Sequence, residues 1–272
     1  MKVILTGSKG FIGQNLLERL MKTFQVVEIN EDVFEYSDWV ERTLQTLSNE
    51  KPIAIFHVGA CSNTLETDVN YMMKVNFEFT KLLMDWCKNN NSKMVFSSSA
   101  ANYGTNKKFP SNLYGWSKYV AEQYVISNGG IALRYFNVYG PKEEHKGRMA
   151  SVAYQFYIKH KNGEPCFLFP RKPRRDFVYI KDVVNANIHA LNNFSELNGN
   201  WYEVGCGESK QFEDVLEILG ISYSYLSEES IPNGYQFYTR STKELWMKNW
   251  NPTYPLEVGL SEYKNYLDET VK

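Results

Sequence analysis

The chain has 272 residues, with 30 Lys and Arg against 31 Asp and Glu. Because these charges nearly cancel, the composition favours neither nucleic acid nor an anionic membrane as a partner. We expect no signal peptide and no membrane span, since no apolar run approaches about 18 residues. The cysteines lack the spacing of a metal or redox site, so we predict no metal and free thiols in a reducing cytoplasm at Cys61, Cys87, Cys166 and Cys206.

The first predicted element is a short apolar strand at residues 3–5, followed by Gly7, Gly10 and Gly13. A strand, a G-x-x-G-x-x-G turn and an amphipathic helix in this order are typical of the unit that binds a dinucleotide pyrophosphate. Gly7 permits the tight turn, Gly10 lets the backbone approach the phosphates, and Gly13 lets the helix pack against the strand. The helix begins near Phe11 and would direct its N-terminal N–H groups at the anion. We therefore predict bound NAD or NADP.

Further strand-like runs alternate with segments of helical periodicity. The predicted strands are residues 26–29, 53–57, 94–97 and 131–135, and the predicted helices are residues 15–21, 39–47, 71–87 and 118–126. This alternation predicts an α/β fold with a Rossmann-type doubly wound parallel sheet. After Pro141, short mixed segments punctuated by glycine and proline indicate a smaller C-terminal substrate-binding lobe. The predicted organisation is a dinucleotide-binding domain at 1–140, rejoined by about 178–204, and a substrate-binding lobe at 141–177 and 205–272.

Three polar side chains are candidates for the chemistry. Tyr114 and Lys118 are four residues apart, so both face the same way on a helix. An ammonium beside a phenol favours the phenolate, which is what a general base for a sugar hydroxyl needs. In a chain with 19 tyrosines this spacing also fits an ordinary helix face. Ser99 lies just after the predicted strand 94–97, where ligands bind in open α/β sheets, and it can donate a hydrogen bond to a reacting oxygen.

The glycine motif, Ser99, Tyr114 and Lys118 together resemble the extended short-chain dehydrogenase/reductase superfamily, which includes the NAD-dependent epimerases and dehydratases. Residues 134–141 and 175–183 are similar to two signatures of its nucleotide-sugar members, so the resemblance spans almost the whole chain. It implies that Tyr114 is the acid/base, and that Ser99 polarises the substrate oxygen. It also implies that Lys118 lowers the pKa of Tyr114 and binds the nicotinamide ribose.

Residues 57–62, 71–73 and 137–153 are similar to the ADP-glycero-manno-heptose 6-epimerases within that superfamily. This resemblance implies a nucleotide-sugar epimerase that acts on an ADP-heptose by transient oxidation and re-reduction with a tightly bound nicotinamide cofactor. It also implies that Lys146 is a second acid/base facing Tyr114, and it is compatible with a homo-oligomer. Without the resemblance, Lys146 fits a solvated loop lysine or a phosphate contact.

The same resemblance assigns contact residues. Implied cofactor contacts are Phe11, Ile12, Gly59, Ala60, Cys61, Ser62 and Val138, and implied substrate contacts are Ser99, Asn137, Arg148, Arg175 and Tyr235. The planar fork of Arg175 suits a diphosphate, with a salt bridge to Asp176 or a helix end as the alternative. Glu28 ends the second strand, where a carboxylate would accept ribose hydroxyls and favour NAD, whereas the heptose epimerases point to NADP. Both cofactors therefore stay open.

Particular residues distinguish this function from related ones. A 4,6-dehydratase needs a carboxylic acid pair just after the serine, and Ala100 and Ala101 stand there. A nucleotide-hexose 4-epimerase or a related short-chain oxidoreductase on another nucleotide sugar is the alternative, because it shares the serine, tyrosine and lysine but not residues 145–147. An inactive dinucleotide-binding protein would not need Ser99, Tyr114 and Lys118 together. Arg148 stands where the heptose epimerases usually have serine, and the segment 28–57 is shorter than expected, so the sugar and nucleotide stay open.

Overall fold

The computed structural model describes residues 1–105, 108–232 and 235–271. The chain divides into two compact units, the first formed by Met1–Arg134 and Val184–Tyr202 and the second by Tyr135–Val183 and Glu203–Lys272. The division of tasks predicted from the sequence, with a dinucleotide at 1–140 and 178–204 and a substrate at 141–177 and 205–272, stays a prediction.

The strands of the described ranges are, in chain order, β1 (Lys2–Thr6), β2 (Gln25–Ile29), β3 (Ala54–His57), β4 (Lys93–Ser99), β5 (Ile131–Tyr135), β6 (Asn137–Tyr139), β7 (Cys166–Leu168), β8 (Arg174–Arg175), β9 (Phe177–Tyr179), β10 (Asn200–Val204), β11 (Lys210–Gln211) and β12 (Tyr223–Tyr225). The central sheet has the order β10-β5-β4-β3-β1-β2. β1 pairs in parallel with β2 and with β3, and β3 pairs in parallel with β4. The predicted Rossmann-type sheet is therefore present.

The helices are α1 (Phe11–Leu20), α2 (Trp39–Glu50), α3 (Val69–Met73), α4 (Phe79–Asn89), α5 (Leu113–Ser127), α6 (Val152–Lys161), α7 (Ile180–Asn192), α8 (Phe194–Leu197), α9 (Phe212–Leu219) and α10 (Leu256–Thr270). A π-helical turn at Lys74–Glu78 joins α3 to α4. In the first unit, α1 packs on β1 and β2, α4 on β3 and β4, and α5 on β4. Strands β1, β3 and β5 are accordingly buried along nearly their whole length, as expected of a parallel sheet with helices on its faces.

The chain order of the sheet reverses at β1, which lies between β2 and β3. Ligands of doubly wound sheets bind outside the carboxyl ends of the strands at such a reversal. The classic six-stranded order places one more strand outside the second, but β2 is the edge strand in the described chain. The short segment after Glu28 explains this difference, because it forms a 3₁₀ turn at Glu31–Glu35 and α2 before β3 begins.

The second unit is built from three two-stranded ladders, β6 with β9, β7 with β12 and β8 with β11. Helices α6, α9 and α10 pack together beside them, α9 against both of the other two. Within the described ranges, no helix combines the length and the apolar character needed to cross a membrane.

Candidate active site

The turn after β1 packs against the loop after β3 so closely that side chains are excluded. Gly7 has a φ of +66°, and a Cβ on it would lie 2.5 Å from the Cα of Gly59. A Cβ on Gly13 would lie 1.9 Å from the carbonyl oxygen of Gly7. Gly10 is the N-cap of α1 and supplies no capping side chain, which suits this helix end to an anion. The residues present therefore fit a dinucleotide pyrophosphate.

Glu28 lies at the carboxyl end of edge strand β2 and is exposed. The hydroxyl of Ser8, in the glycine turn, is hydrogen-bonded to the Glu28 carboxylate and lies 3.1 Å from the side-chain oxygen of Asn30. The backbone N–H of Lys9 also donates to that Asn30 oxygen, at 3.3 Å. The glycine turn is thus hydrogen-bonded to the end of β2. Glu28, predicted to bind the ribose hydroxyls, is held by the turn that is predicted to bind the phosphates.

Buried His57 ties β1 to the loop after β3. The hydroxyl of Thr80 donates to the carbonyl of Asn76 at 2.7 Å, so it accepts from Nε2–H of His57 at 2.8 Å. Nδ1 then accepts from the hydroxyl of Thr6 at 2.7 Å, whose oxygen accepts from the N–H of Gly59 at 3.0 Å. Burial holds the pKa of His57 well below its usual value, so the ring is neutral and its tautomer is fixed.

The π-helical turn carries Asn76, which fixes the next part of the same loop. The Asn76 side chain accepts from the N–H of Cys61 at 2.8 Å and donates to its carbonyl at 3.0 Å. Its amide nitrogen also lies 2.9 Å from the hydroxyl oxygen of Ser117 on α5. Isolated π turns are frequent at functional sites. Sequence reasoning missed Asn76, because an asparagine within an apolar helical pattern is a weak signal.

Helix α5 presents Tyr114 and Lys118 one turn apart, as predicted. The helix is capped by Asn112, whose side chain accepts from the N–H of Gly115 at 2.8 Å. The Lys118 ammonium lies 4.1 Å from the ring centroid of Phe96 on β4 and is almost fully buried. Burial lowers the pKa of Lys118 to about 7. Its charge can therefore change near neutral pH.

Ser99 contacts Tyr114 directly. Burial raises the pKa of Tyr114, while a hydrogen bond with the Ser99 side chain lowers it. The Ser99 oxygen also accepts from the N–H of Ala101 at 3.1 Å, which caps the 3₁₀ turn Ala100–Tyr103. The first unit thus brings Ser99, Tyr114 and Lys118 together. The lowering of the Tyr114 pKa by Lys118, expected from the resemblance, stays a prediction.

In the second unit, Arg175 has aromatic neighbours. Its guanidinium carbon lies 5.4 Å from the ring centroid of Tyr235 and 5.5 Å from that of Phe212. The adjacent Asp176 carboxylate is satisfied by the N–H groups of Cys206, Gly207 and Ser241 and by the Ser241 hydroxyl. Within the described ranges Arg175 therefore forms no carboxylate ion pair, which removes the alternative of a bridge to Asp176. Burial lowers the pKa of Arg175.

Asn137 on β6 is held by the segment beside Arg175. Its side-chain amide donates to the carbonyl of Asp176 and to the hydroxyl of Thr239, each at 3.2 Å. Val138, a predicted cofactor contact, follows it on the same strand and is half-buried. The amide of Asn137 is thus fixed in orientation. Asp176, one of its two hydrogen-bond partners, adjoins Arg175, the predicted diphosphate contact.

Lys146 lies in the 3₁₀ segment Glu144–Met149, and buried Glu143 holds both ends of this loop. The Glu143 carboxylate accepts from the N–H of Ser151 at 2.5 Å, from its hydroxyl at 2.6 Å, and from the hydroxyl of Tyr263 at 3.0 Å. Burial lowers the pKa of Lys146, and the charge of Glu143 raises it. Arg148 is exposed on the same loop.

A glycine turn at the reversal point of a parallel sheet, with a serine, a tyrosine and a lysine in the same compact unit, defines a dinucleotide-dependent enzyme of the Rossmann class. Residues 3–205 match the NAD dependent epimerase/dehydratase family, and the chain belongs to this family. The predicted fold class and superfamily are confirmed, and the NAD dependence of the family agrees with the predicted nicotinamide cofactor.

Individual relatives are similar along their whole lengths. ADP-L-glycero-D-manno-heptose-6-epimerase of Brachyspira hyodysenteriae is 32% identical over 98% of each chain. The crystal structure of the Helicobacter pylori enzyme of the same name matches with a TM-score of 0.85 and 24% identity, covering 98% of this chain and 96% of that one. UDP-glucose 4-epimerase of Thermotoga maritima, solved with UDP-glucose, matches with a TM-score of 0.87 and 24% identity over all of both chains.

Proposed function

We propose that this protein is a nucleotide-sugar epimerase of the ADP-heptose 6-epimerase type, which inverts one sugar carbon by transient oxidation and re-reduction. The observation that carries the chemistry is the hydrogen bond between Ser99 and Tyr114 with Lys118 one helical turn away. The 32% identity to a heptose epimerase over 98% of each chain supports the sugar.

In this proposal Tyr114 is the acid/base at the sugar hydroxyl. A phenol buried in protein resists ionisation, so it needs neighbours that favour the phenolate. Ser99 supplies one of them through its hydrogen bond, and it also orients the reacting hydroxyl. Lys118 supplies the second as a positive charge. Lys146 acts as a second acid/base, which lets a proton return on the other face of the sugar carbon.

Gly7, Gly10 and Gly13 form the turn that holds the pyrophosphate of the cofactor, because a Cβ on Gly7 or Gly13 would collide with the backbone of Gly59 or Gly7 and distort that turn. A bound nicotinamide dinucleotide supplies hydride acceptance and return at the sugar carbon. The remaining contacts are Phe11, Ile12, Gly59, Ala60, Cys61, Ser62, Lys118 and Val138. In the proposal, exposed Glu28 accepts the ribose hydroxyls and its negative charge repels a 2′-phosphate, so NAD is preferred to NADP.

Arg175 binds the diphosphate of the substrate. Its lack of a carboxylate partner within the described ranges leaves its charge for an anion, and its planar fork suits two phosphate oxygens. Asn137, Tyr235 and Arg148 complete the substrate contacts. A cytoplasmic location and a homo-oligomeric state belong to the same proposal, and cell fractionation and light scattering test them.

The proposal is tested on the protein as purified. The copurifying cofactor is identified by mass, and a panel of nucleotide sugars, ADP-heptose first, is followed by NMR without added cofactor. We expect the two 6-epimers of ADP-heptose to interconvert. Interconversion of hexose 4-epimers instead would identify the alternative epimerase, and a requirement for stoichiometric reduced cofactor would identify a simple reductase.

A further inference from the structure

Helix α5 carries a third ionisable side chain on the face of Tyr114 and Lys118. Glu122 follows Lys118 by four residues, so the phenol, the ammonium and the carboxylate form one stripe along the helix. Glu122 is fully buried. A buried carboxylate is strongly unfavourable unless it is paired and hydrogen-bonded.

Arg134 at the end of β5 pairs with Glu122. Its Nε donates to one carboxylate oxygen at 2.8 Å and its Nη2 to the other at 2.5 Å, which is the bidentate arrangement of a strong charge-assisted pair. The guanidinium carbon of Arg134 lies 3.6 Å from the ring centroid of Trp201 and 4.8 Å from that of Tyr103. The pair is thus enclosed by aromatic rings.

The Glu122 carboxylate also holds the turn that presents Ser99. The Ser98 hydroxyl donates to it at 2.6 Å, and the Asn102 amide donates to it at 3.0 Å. These two residues precede and follow Ser99 in the chain, and the Asn102 amide also lies 3.1 Å from the Ser98 oxygen. Movement of the carboxylate would therefore shift both sides of the Ser99 turn.

The charge of Glu122 acts on Lys118. Burial lowers the pKa of Lys118 to about 7, and the Glu122 carboxylate is the group that raises it. His57 on β3 also faces Lys118, because the Lys118 charge contributes to lowering the His57 pKa, and Tyr114 lies one turn away on α5. Neutralising Glu122 would therefore remove the charge that favours the protonated form of Lys118.

We propose that Glu122 is a positioning residue for the cluster formed by Ser99, Tyr114 and Lys118. Through Ser98 and Asn102 it fixes the turn that carries Ser99, and through its charge it increases the fraction of Lys118 that is protonated. The inference rests on the proposed function, in which Ser99 and Lys118 both act on Tyr114. An ion pair that merely joined α5 to β5 would influence neither group.

The charge effect is tested without substrate, by NMR titration of protein labelled at the lysine Cε, with the Lys118 signal assigned from Lys118→Met. In Glu122→Gln we expect Lys118 to titrate about one pH unit or more below wild type. The charge-neutral variant Glu122→Gln/Arg134→Met should titrate as low as Glu122→Gln, because the charge that raises the Lys118 pKa is the Glu122 carboxylate. Asp85→Asn, which removes a carboxylate of α4 that binds Tyr124, should leave the titration unchanged.

An unchanged Lys118 titration in Glu122→Gln would contradict the proposal. A wild-type Lys118 titration in the charge-neutral variant would also contradict it, because the shift in Glu122→Gln would then come from the unpaired Arg134 and not from loss of the Glu122 charge. These readings need no turnover, so they stand even if no nucleotide sugar is converted. Failure of the proposed function and failure of this inference are therefore distinguishable.

The turn contacts are tested separately by Ser98→Ala and Asn102→Ala, which leave the charges in place. We expect kcat to fall about tenfold in each, with KM nearly unchanged and the Lys118 titration at its wild-type position. Wild-type kcat in both variants would overturn the positioning role even if Glu122→Gln failed to fold.

Discussion

Two buried glutamates, Glu122 in the first unit and Glu143 in the second, are held in different ways. Glu122 is paired with the guanidinium of Arg134, whereas Glu143 accepts from backbone N–H groups and from the hydroxyls of Ser151 and Tyr263. Burial correspondingly raises the pKa of Glu143. The carboxylate of Glu122 is therefore hydrogen-bonded to a charged group, whereas the hydrogen-bond donors to Glu143 are neutral and Lys146 acts on it through its charge alone. Each holds a segment with a proposed acid/base group, so the comparison can be tested at both places.

The largest expected effect is at the proposed base of the first unit. Tyr114→Phe removes the proton acceptor and should lower epimerase turnover by about 10²–10⁴-fold. The Tyr114 hydroxyl is not part of the glycine turn that is proposed to hold the pyrophosphate, so the fold and the copurifying cofactor should be retained. NMR of epimer interconversion and mass analysis of the cofactor measure the two results, with Tyr119→Phe on the same helix as control. Near-normal turnover in Tyr114→Phe would remove Tyr114 from the chemistry.

The two glutamates should differ in stability when neutralised. Glu122→Gln leaves the Arg134 charge buried and unpaired, so we expect a loss of about 3–5 kcal/mol in the free energy of unfolding. Glu143→Gln leaves buried neutral donors poorly matched and should cost about 1–3 kcal/mol. Glu144→Gln, at a half-buried neighbour that accepts from Tyr266, is the control and should stay within about 1 kcal/mol of wild type. Urea unfolding of the three variants measures this order, and equal losses at Glu122 and Glu143 would refute the distinction.

Stability should also depend on pH through Lys118. The pKa of Lys118 is lowered to about 7 in the folded protein, so above pH 7 the unfolded chain binds a proton that the folded chain does not. The free energy of unfolding therefore rises with pH from about 7 toward the unfolded pKa, by about 1.4 kcal/mol per pH unit from this group. Urea unfolding of cofactor-free protein at several pH values measures the slope. Lys118→Met should lose this contribution, and an identical slope in both proteins would contradict the lowered pKa.

Two glycines offer the smallest of these contrasts. A Cβ on Gly13 meets the Gly7 carbonyl oxygen at 1.9 Å, whereas a Cβ on Gly147 meets nothing within 4 Å. Gly13→Ala should weaken cofactor binding at least about tenfold, a change of about 1.4 kcal/mol. Gly147→Ala should cost about 1–2 kcal/mol of stability through its φ of +52° without changing cofactor affinity. Calorimetric titration with NAD distinguishes the two variants. Equal NAD affinity in wild type and Gly13→Ala would contradict the proposed role of the glycine turn in holding the pyrophosphate.

Sequence patterns predicted the features that depend on local order. The glycine turn, the alternating elements and the shared face of Tyr114 and Lys118 follow from spacing along the chain. The Glu122 pair with Arg134 joins a helix to a strand, and no spacing rule connects them. The π turn within the predicted helix 71–87 is likewise invisible to periodicity, because one extra residue per turn hardly alters an apolar pattern.

The second unit shows the same limit at Arg175 and Asp176. The sequence allowed these neighbours to pair with each other. Successive side chains of an extended segment point to opposite sides, so Asp176 binds the backbone of residues 206–207 and 241 while Arg175 lies by Tyr235. The described chain has no strand outside β2, which agrees with the short segment 28–57. The length of that segment alone does not predict which element is missing.

Transient oxidation at a single sugar carbon is tested most directly by labelling that carbon. ADP-heptose carrying deuterium at C6 is incubated with the purified protein in ordinary water, without added cofactor, and both epimers are analysed by NMR. The account predicts that the 6-epimers interconvert and that deuterium stays on C6, because the hydrogen leaves and returns within the enzyme. Replacement of the deuterium by solvent hydrogen during epimerisation would contradict it.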